Sequence, residues 1–286
     1  ESFPVFQIVV NAIQKGIRVR ILTNDYEDKI CDGSMDLLAY LQFLGAEVKF
    51  YRTTSFTHSK LMIVDKTSAS ISSINFSKTS IMSNREAGMI IHDDDTGIVQ
   101  FALDVFEYDH AQGYIRDLPP VSNDQIQLIK STKHINVNNP DPYVFKYCNA
   151  TSPNPTLITG HMDMKIIASP DYAYEHVMKE LHNSSVRSLW LSIYQITMED
   201  FCDEMITIKK ANPDMDLRLF VSNKIYGVGD QKIALKCYNK LFEEGIVVKL
   251  SHKYCLSYSH QKFWILNGDT VFMSTGNWSP SDYPTS

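Results

Sequence analysis

The 286-residue sequence is 44% hydrophobic and carries a formal net charge of −6, with an isoelectric point near 5.8. That balance suits a soluble globular protein of about two domains and lacks the basic footprint of a generic nucleic-acid binder. No apolar run reaches the roughly 18 residues of a membrane-spanning helix, and Cys31, Cys148, Cys202, Cys237 and Cys255 contain no C-x-x-C pair of the zinc or thioredoxin kind.

The opening E-S-F-P-V-F-Q-I-V-V-N-A-I-Q-K-G lacks the charged, apolar and small-residue zones of a signal peptide. It reads as the inside of a helix leading into a strand from Arg18 to Leu22, so the chain reads as a fragment whose first repeat lacks its beginning. An amphipathic segment, M-D-L-L-A-Y-L-Q-F-L-G-A, follows and ends at Gly45 as a helix C-cap should. Next come a strand from Glu47 to Tyr51, a polar loop, and T-H-S-K-L-M-I-V-D. Leu61 to Val64 has the look of a buried strand, in which residues two apart share a face, so His58 and Lys60 aim an imidazole and an ammonium at one place. A return strand from Ala69 to Ile74 delivers Asn75 to the same end. N-R-E-A-G then places Glu86 ahead of a strand at Met89 to Ile91. The run His92-Asp93-Asp94-Asp95 reads as a solvated strand end, and the seven histidines other than His58 and His260 form no ligand cluster.

Residues 118–160 hold six of the eleven prolines and read as a linker or surface insert between halves at 1–117 and 161–286. The second half opens with M-K-I-I-A-S-P-D, a helix through Met178 and Leu181, and an apolar strand from Ser188 to Ile193. The first half shows no counterpart to these. From Met215 the order repeats: a strand entry, a helix ending at Gly245, a strand from Val247 to Leu250, a loop with Tyr254 and Tyr258, and S-H-Q-K-F-W-I-L. Here His260, Lys262, Thr275 and Asn277 stand 202 residues after His58, Lys60, Ser73 and Asn75, so His-to-Lys is two and His-to-Asn seventeen in both copies. Strand, helix and strand in alternation imply an α/β fold with helices covering a mixed sheet. Two facing copies would supply paired bases, cations and amide donors, which suits a phosphodiester whose charge grows in the transition state. Ser73 and Thr275, two before each Asn, are candidate hydroxyl contacts to that phosphate or else satisfy the backbone.

H-S-K with Asp65, S-S-I-N-F-S, N-R-E-A-G, H-Q-K and S-T-G-N-W-S resemble the phospholipase D superfamily, whose members carry two His-x-Lys motifs. The resemblance covers both halves. It implies two α/β half-domains packed about a pseudo-twofold, a monomer with an internal pseudo-dimer, and a phosphodiesterase that needs no metal or other cofactor. It further implies a covalent phosphohistidine, with His58 as nucleophile and His260 as general acid, Lys60, Lys262, Asn75 and Asn277 on the phosphate oxygens, and Glu86 orienting a histidine, often that of the opposite half. Asp65 and its counterpart Asn267 are implied to be structural.

Phospholipid is the favoured substrate class, with membrane-surface contact, and hydrolysis or phosphatidyl transfer are both open. A nuclease and a catalytically impaired lipid- or phosphate-binding member are the alternatives. Two departures stand out. Ser72 and Ser274 occupy places where the family carries Gly and threaten to crowd the phosphate. A carboxylate matching Glu86 is expected near position 288, beyond Ser286, which leaves the second repeat unfinished and His58 without an orienting partner. The triplets at Asn149 and Asn183 fit the glycosylation pattern and leave a secretory or lumenal compartment open.

Overall fold

The computed structural model describes residues 4–25, 32–51, 57–92, 97–124, 127, 156–160, 162–169, 173–252 and 257–283. Most of the linker, Asp93 to Asp95, Tyr254, Asn149 and three of the cysteines lie outside them. The chain groups into two interleaved units, residues 1–57 with 104–142 and residues 58–103 with 143–286.

In the first unit, α1 (Pro4–Gln14) and α2 (Asp32–Phe43) pack with β1 (Arg20–Asn24) and β2 (Glu47–Tyr51). The strands pair in parallel with Arg20 opposite Glu47. That ladder places β1 two residues later than its apolar alternation suggests. Phe6, Val10, Tyr40, Leu41, Val48 and Phe50 form its core. The end of α2 follows from glycine: Gly45 adopts φ 107°, its N–H donates to Gln42 O at 2.9 Å, and Ala46 N–H reaches Leu41 O at 2.9 Å. These two bonds make a Schellman cap.

The second unit contains two sheets. β3 (Leu61–Val64), β4 (Ser68–Ser72) and β5 (Gly88–His92) are antiparallel in that order, with the short helix α3 (Lys78–Met82) between β4 and β5. Val99 and Ala102, from the start of α4 (Ile98–Gln112), pack with Ala69 beneath them. The larger sheet takes α5 (Ala173–Leu181), β6 (Ser188–Ile193), α6 (Glu199–Ala211), β7 (Asp216–Val221), α7 (Val228–Glu243), β8 (Val247–Leu250), β9 (Phe263–Leu266) and β10 (Thr270–Met273) in chain order, with strands arranged β10-β9-β6-β7-β8. β6, β7 and β8 run parallel, while β9 lies antiparallel to both β6 and β10. α7 ends as α2 does, with Gly245 at φ 77° and Ile246 N–H on Leu241 O at 3.0 Å. β6 joins β7 to β9; among the described residues the first copy has no such strand, and its strands form two sheets instead of one.

The hairpins that carry the motifs turn alike. Asp65 and Lys66 adopt φ 52° and 60°, and Asn267 and Gly268 adopt 52° and 79°. Both central positions are left-handed, which an Asx residue or glycine tolerates better than others. Asp at 65 and Asn at 267 therefore do one backbone job. Asn267 also accepts from Arg187 N at 2.7 Å and Ser188 N at 3.2 Å, tying its turn to the start of β6.

Candidate active site

All the candidate catalytic side chains lie in the second unit. His58 and Lys60 lead into β3, and His260 and Lys262 lead into β9. Each lysine turns back onto its own histidine's carbonyl, Lys60 Nζ to His58 O and Lys262 Nζ to His260 O, both at 2.6 Å. Lys60 Nζ also reaches Thr275 O, from the other copy, at 3.4 Å. Lys60 is 7% exposed and Lys262 is 0% exposed. Burial drives the Lys60 amine down to about 7 against the pull of Asp282 and Glu86. Burial and the neighbouring charge of Lys60 push Lys262 well below its ordinary value. An arriving phosphate anion is the partner that relieves such a pair.

The carboxylates cross between copies. His260 Nδ1 meets Glu86 at 3.0 and 2.9 Å, and His58 Nδ1 meets Asp282 Oδ1 at 2.8 Å. Asp282 overturns the expectation that His58 lacks a carboxylate and that its partner belongs near position 288. The first copy inserts α3 between Asn75 and Glu86, whereas the second passes from Asn277 straight into a turn, so its carboxylate arrives six residues earlier. Asp282 N–H donates to Ser279 O at 3.1 Å to close that turn. Gly276 leaves the room, since a Cβ there would stand 3.0 Å from the Asp282 side chain.

Each carboxylate is held in turn. Glu86 accepts from Ser73 Oγ at 2.6 Å, Asn84 Nδ2 at 3.1 Å and Ser80 Oγ. Asp282 accepts from Asn277 N–H at 2.9 Å and Ser279 Oγ at 2.6 Å, and its carbonyl accepts from Ser169 Oγ. Burial pushes both carboxyls up. The histidine and hydroxyl donors outweigh it, so both stay below the usual carboxylate range. For both imidazoles burial lowers the pKa, the two lysines push the same way, and the carboxylate opposes them. Each Nδ1–H on a carboxylate fixes the tautomer and puts the lone pair of the neutral ring on Nε2.

The remaining expected residues divide. Asn277 is buried, and its Oδ1 has no hydrogen-bond partner among the described residues. It is fixed because Trp278 beside it is 0% exposed and stacks on Phe201 at 4.2 Å. Asn75 is half-buried, with its N–H on Ser80 Oγ at 3.0 Å. Ser73 spends its hydroxyl on Glu86 and on Ala87 O at 3.2 Å, so it faces the orienting carboxylate, and Thr275 enters the site through its carbonyl. Ser72 and Ser274 fold their hydroxyls back on their own turns, accepting from Ile74 N–H at 3.3 Å and Gly276 N–H at 3.0 Å.

Tyr194 went unread in the sequence. It follows β6, its ring lies 4.9 Å from that of His260, and Lys262 Nζ sits 5.4 Å from its centroid. Its hydroxyl accepts from Tyr226 N–H at 2.6 Å. Nothing separates it in sequence from an ordinary strand-end aromatic. Among the described residues no group of three or more His, Cys, Asp or Glu side chains is arranged to hold a metal ion.

The family model described as "Cardiolipin synthase, PLD-like domain" matches residues 1–110 and 177–284. A mitochondrial cardiolipin hydrolase of Mus musculus is 33% identical over 94 residues, which is 33% of this chain and 40% of that protein. The Homo sapiens protein of the same name is also 33% identical over 94 residues, 35% of its length. The chain thus spans about two fifths or less of the curated relatives it matches. Polyphosphate kinase from Porphyromonas gingivalis shares the fold, with TM-score 0.50 over 96% of this chain and 38% of that chain at 11% identity. The relatives' mitochondrial names overturn the secretory or lumenal expectation. Asn183, one of the two residues behind that expectation, instead caps a local turn, accepting from Ser185 N–H at 3.0 Å and Ser185 Oγ at 2.9 Å.

Proposed function

This chain belongs to the family described as cardiolipin synthase, PLD-like domain, and on that premise we propose that it cleaves phosphodiesters by double displacement between its two histidines. The observation that carries this reading is the crossed pairing of His58 with Asp282 and His260 with Glu86, with two buried lysines beside them.

His58 Nε2 attacks phosphorus, a P–N bond forms and the P–O bond to the leaving alcohol breaks. The proton on His260 Nε2 passes to that leaving oxygen. His260 is given the acid role by the family resemblance, with Glu86 accepting from its Nδ1–H and holding the ring in place when it carries the second proton. Neutral His260 then removes a proton from water, the hydroxide attacks phosphorus, and the P–N bond breaks. Lys60, Lys262 and the amides of Asn75 and Asn277 hold the equatorial oxygens, where other phosphodiesterases place metal ions.

The substrate class is a phospholipid diester. The net charge of −6 runs against tracking a nucleic-acid backbone, and the curated relatives are named for cardiolipin hydrolysis. The test offers phosphatidylcholine, cardiolipin and single-stranded DNA in parallel. Release of the lipid headgroup or phosphatidate without DNA cleavage is expected, and cleavage of DNA alone overturns the substrate reading.

A further inference from the structure

Between β7 and α7 the chain reads Ser222-Asn223-Lys224-Ile225-Tyr226-Gly227 and enters the helix at Val228. The loop is pinned along its length. Ser222 Oγ donates to Lys224 O at 2.8 Å, Ile225 N–H to Gln231 Oε1 at 2.9 Å, Tyr226 N–H to Tyr194 OH at 2.6 Å, and Gln231 N–H to Gly227 O at 3.1 Å. Ile225 is 5% exposed, whereas Tyr226 is 82% and Val228 75% exposed. The backbone therefore imposes the outward pose of an aromatic and an aliphatic side chain, which leaves apolar surface in water with no return in packing.

The patch borders the site. Tyr194, which accepts from Tyr226, stands against the His260 ring at 4.9 Å, and Lys224 Nζ lies 5.7 Å from the ring of Tyr258, two residues before His260. Lys224 and Lys232 are exposed on either side of it. Asp230 belongs to the first turn of α7, where a carboxylate complements the helix dipole. An exposed tyrosine and valine between lysines match a phospholipid interface, with the phenol at headgroup level, the aliphatic side chain below it and the ammoniums on phosphates. A nucleic acid would stack on Tyr226 and give Val228 nothing.

We infer that Tyr226 and Val228, flanked by Lys224 and Lys232, seat this chain on an anionic phospholipid surface with the histidine site at the contact; the inference rests on the phospholipid reading above. The full chain and a Tyr226→Ser/Val228→Ser double variant are sedimented with vesicles of phosphatidylcholine and phosphatidylglycerol in equal parts, and with phosphatidylcholine alone. The parent is expected to bind the mixed vesicles more tightly than the neutral ones, and the variant to partition at least about tenfold less, because both exposed apolar side chains are lost. Melting temperature and turnover of soluble bis(p-nitrophenyl) phosphate are expected to stay at parental values. A parent that ignores mixed vesicles, or a variant that sediments with them as the parent does, overturns the inference. So does a variant that keeps its vesicle binding and loses affinity for a single-stranded oligonucleotide. Turnover reports on the proposed reaction separately: its absence from both proteins ends the phosphodiesterase reading, while the sedimentation still decides the surface.

Discussion

Replacing Asp282 by Asn removes the charge that holds His58 and little else. Its Oδ1 lies 2.8 Å from His58 Nδ1, and the two side chains are 5% and 23% exposed, so water screens the contact weakly. A charge-assisted hydrogen bond of this kind contributes on the order of 1.5–3 kcal/mol, which is about a 10- to 160-fold change in rate. The loss grows further because, with its oxygen on the two donors that now meet Oδ2, the new amide presents its NH2 to the ring, and the neutral imidazole then carries its proton on Nε2 and cannot attack. The carboxamide keeps an oxygen for the Asn277 N–H and the Ser279 hydroxyl, so the fold should stay intact. The assay is kcat/KM on bis(p-nitrophenyl) phosphate beside a melting curve. A folded variant within about twofold of the parent would refute the role given to this carboxylate.

Three further outcomes follow from the same geometry. Lys60, held at about 7, serves as an ammonium, so kcat/KM should fall as pH rises through about 7, and a profile flat to about pH 9 contradicts that role. Tyr194→Leu should lower kcat about tenfold and move the pH profile, because the ring beside His260 and Lys262 is lost, while Tyr194→Phe keeps most activity; equal behaviour of the two variants removes the ring from the account. Asn267→Ala should cost about 1–3 kcal/mol of stability, read by denaturant titration, through the left-handed backbone at φ 52° and the lost bonds to Arg187 and Ser188.

Much of the architecture is legible because it repeats. Strands Glu47–Tyr51, Leu61–Val64, Ser188–Ile193, Val247–Leu250 and Phe263–Leu266 fall where the apolar pattern puts them, though Leu61–Val64 is not the buried strand expected, since Met62 and Val64 face outward, and Gly45 and Gly245 close their helices through matching bonds. The histidines, lysines and asparagines are readable because their hairpins have one length in both copies. Asp282 is not, because repeat arithmetic assumes equal spacing and the second copy dispenses with α3, delivering its carboxylate on a turn. The hydroxyls of Ser73 and Ser80 defeat a linear reading for a related reason: their acceptor is Glu86, and only folding decides whether a serine faces that carboxylate or a phosphate. Among the described residues β6, which leads into Tyr194, has no counterpart in the first copy with which to be compared.

The most direct measurement is a rapid quench under alkaline conditions during turnover of a slow diester, followed by mass spectrometry of the peptides containing His58 and His260. Phosphate on His58, absent from a His58→Ala variant, is the expected result. An enzyme that turns over with no phosphohistidine, or that carries its phosphate on Ser73 or another hydroxyl, contradicts the two-histidine account.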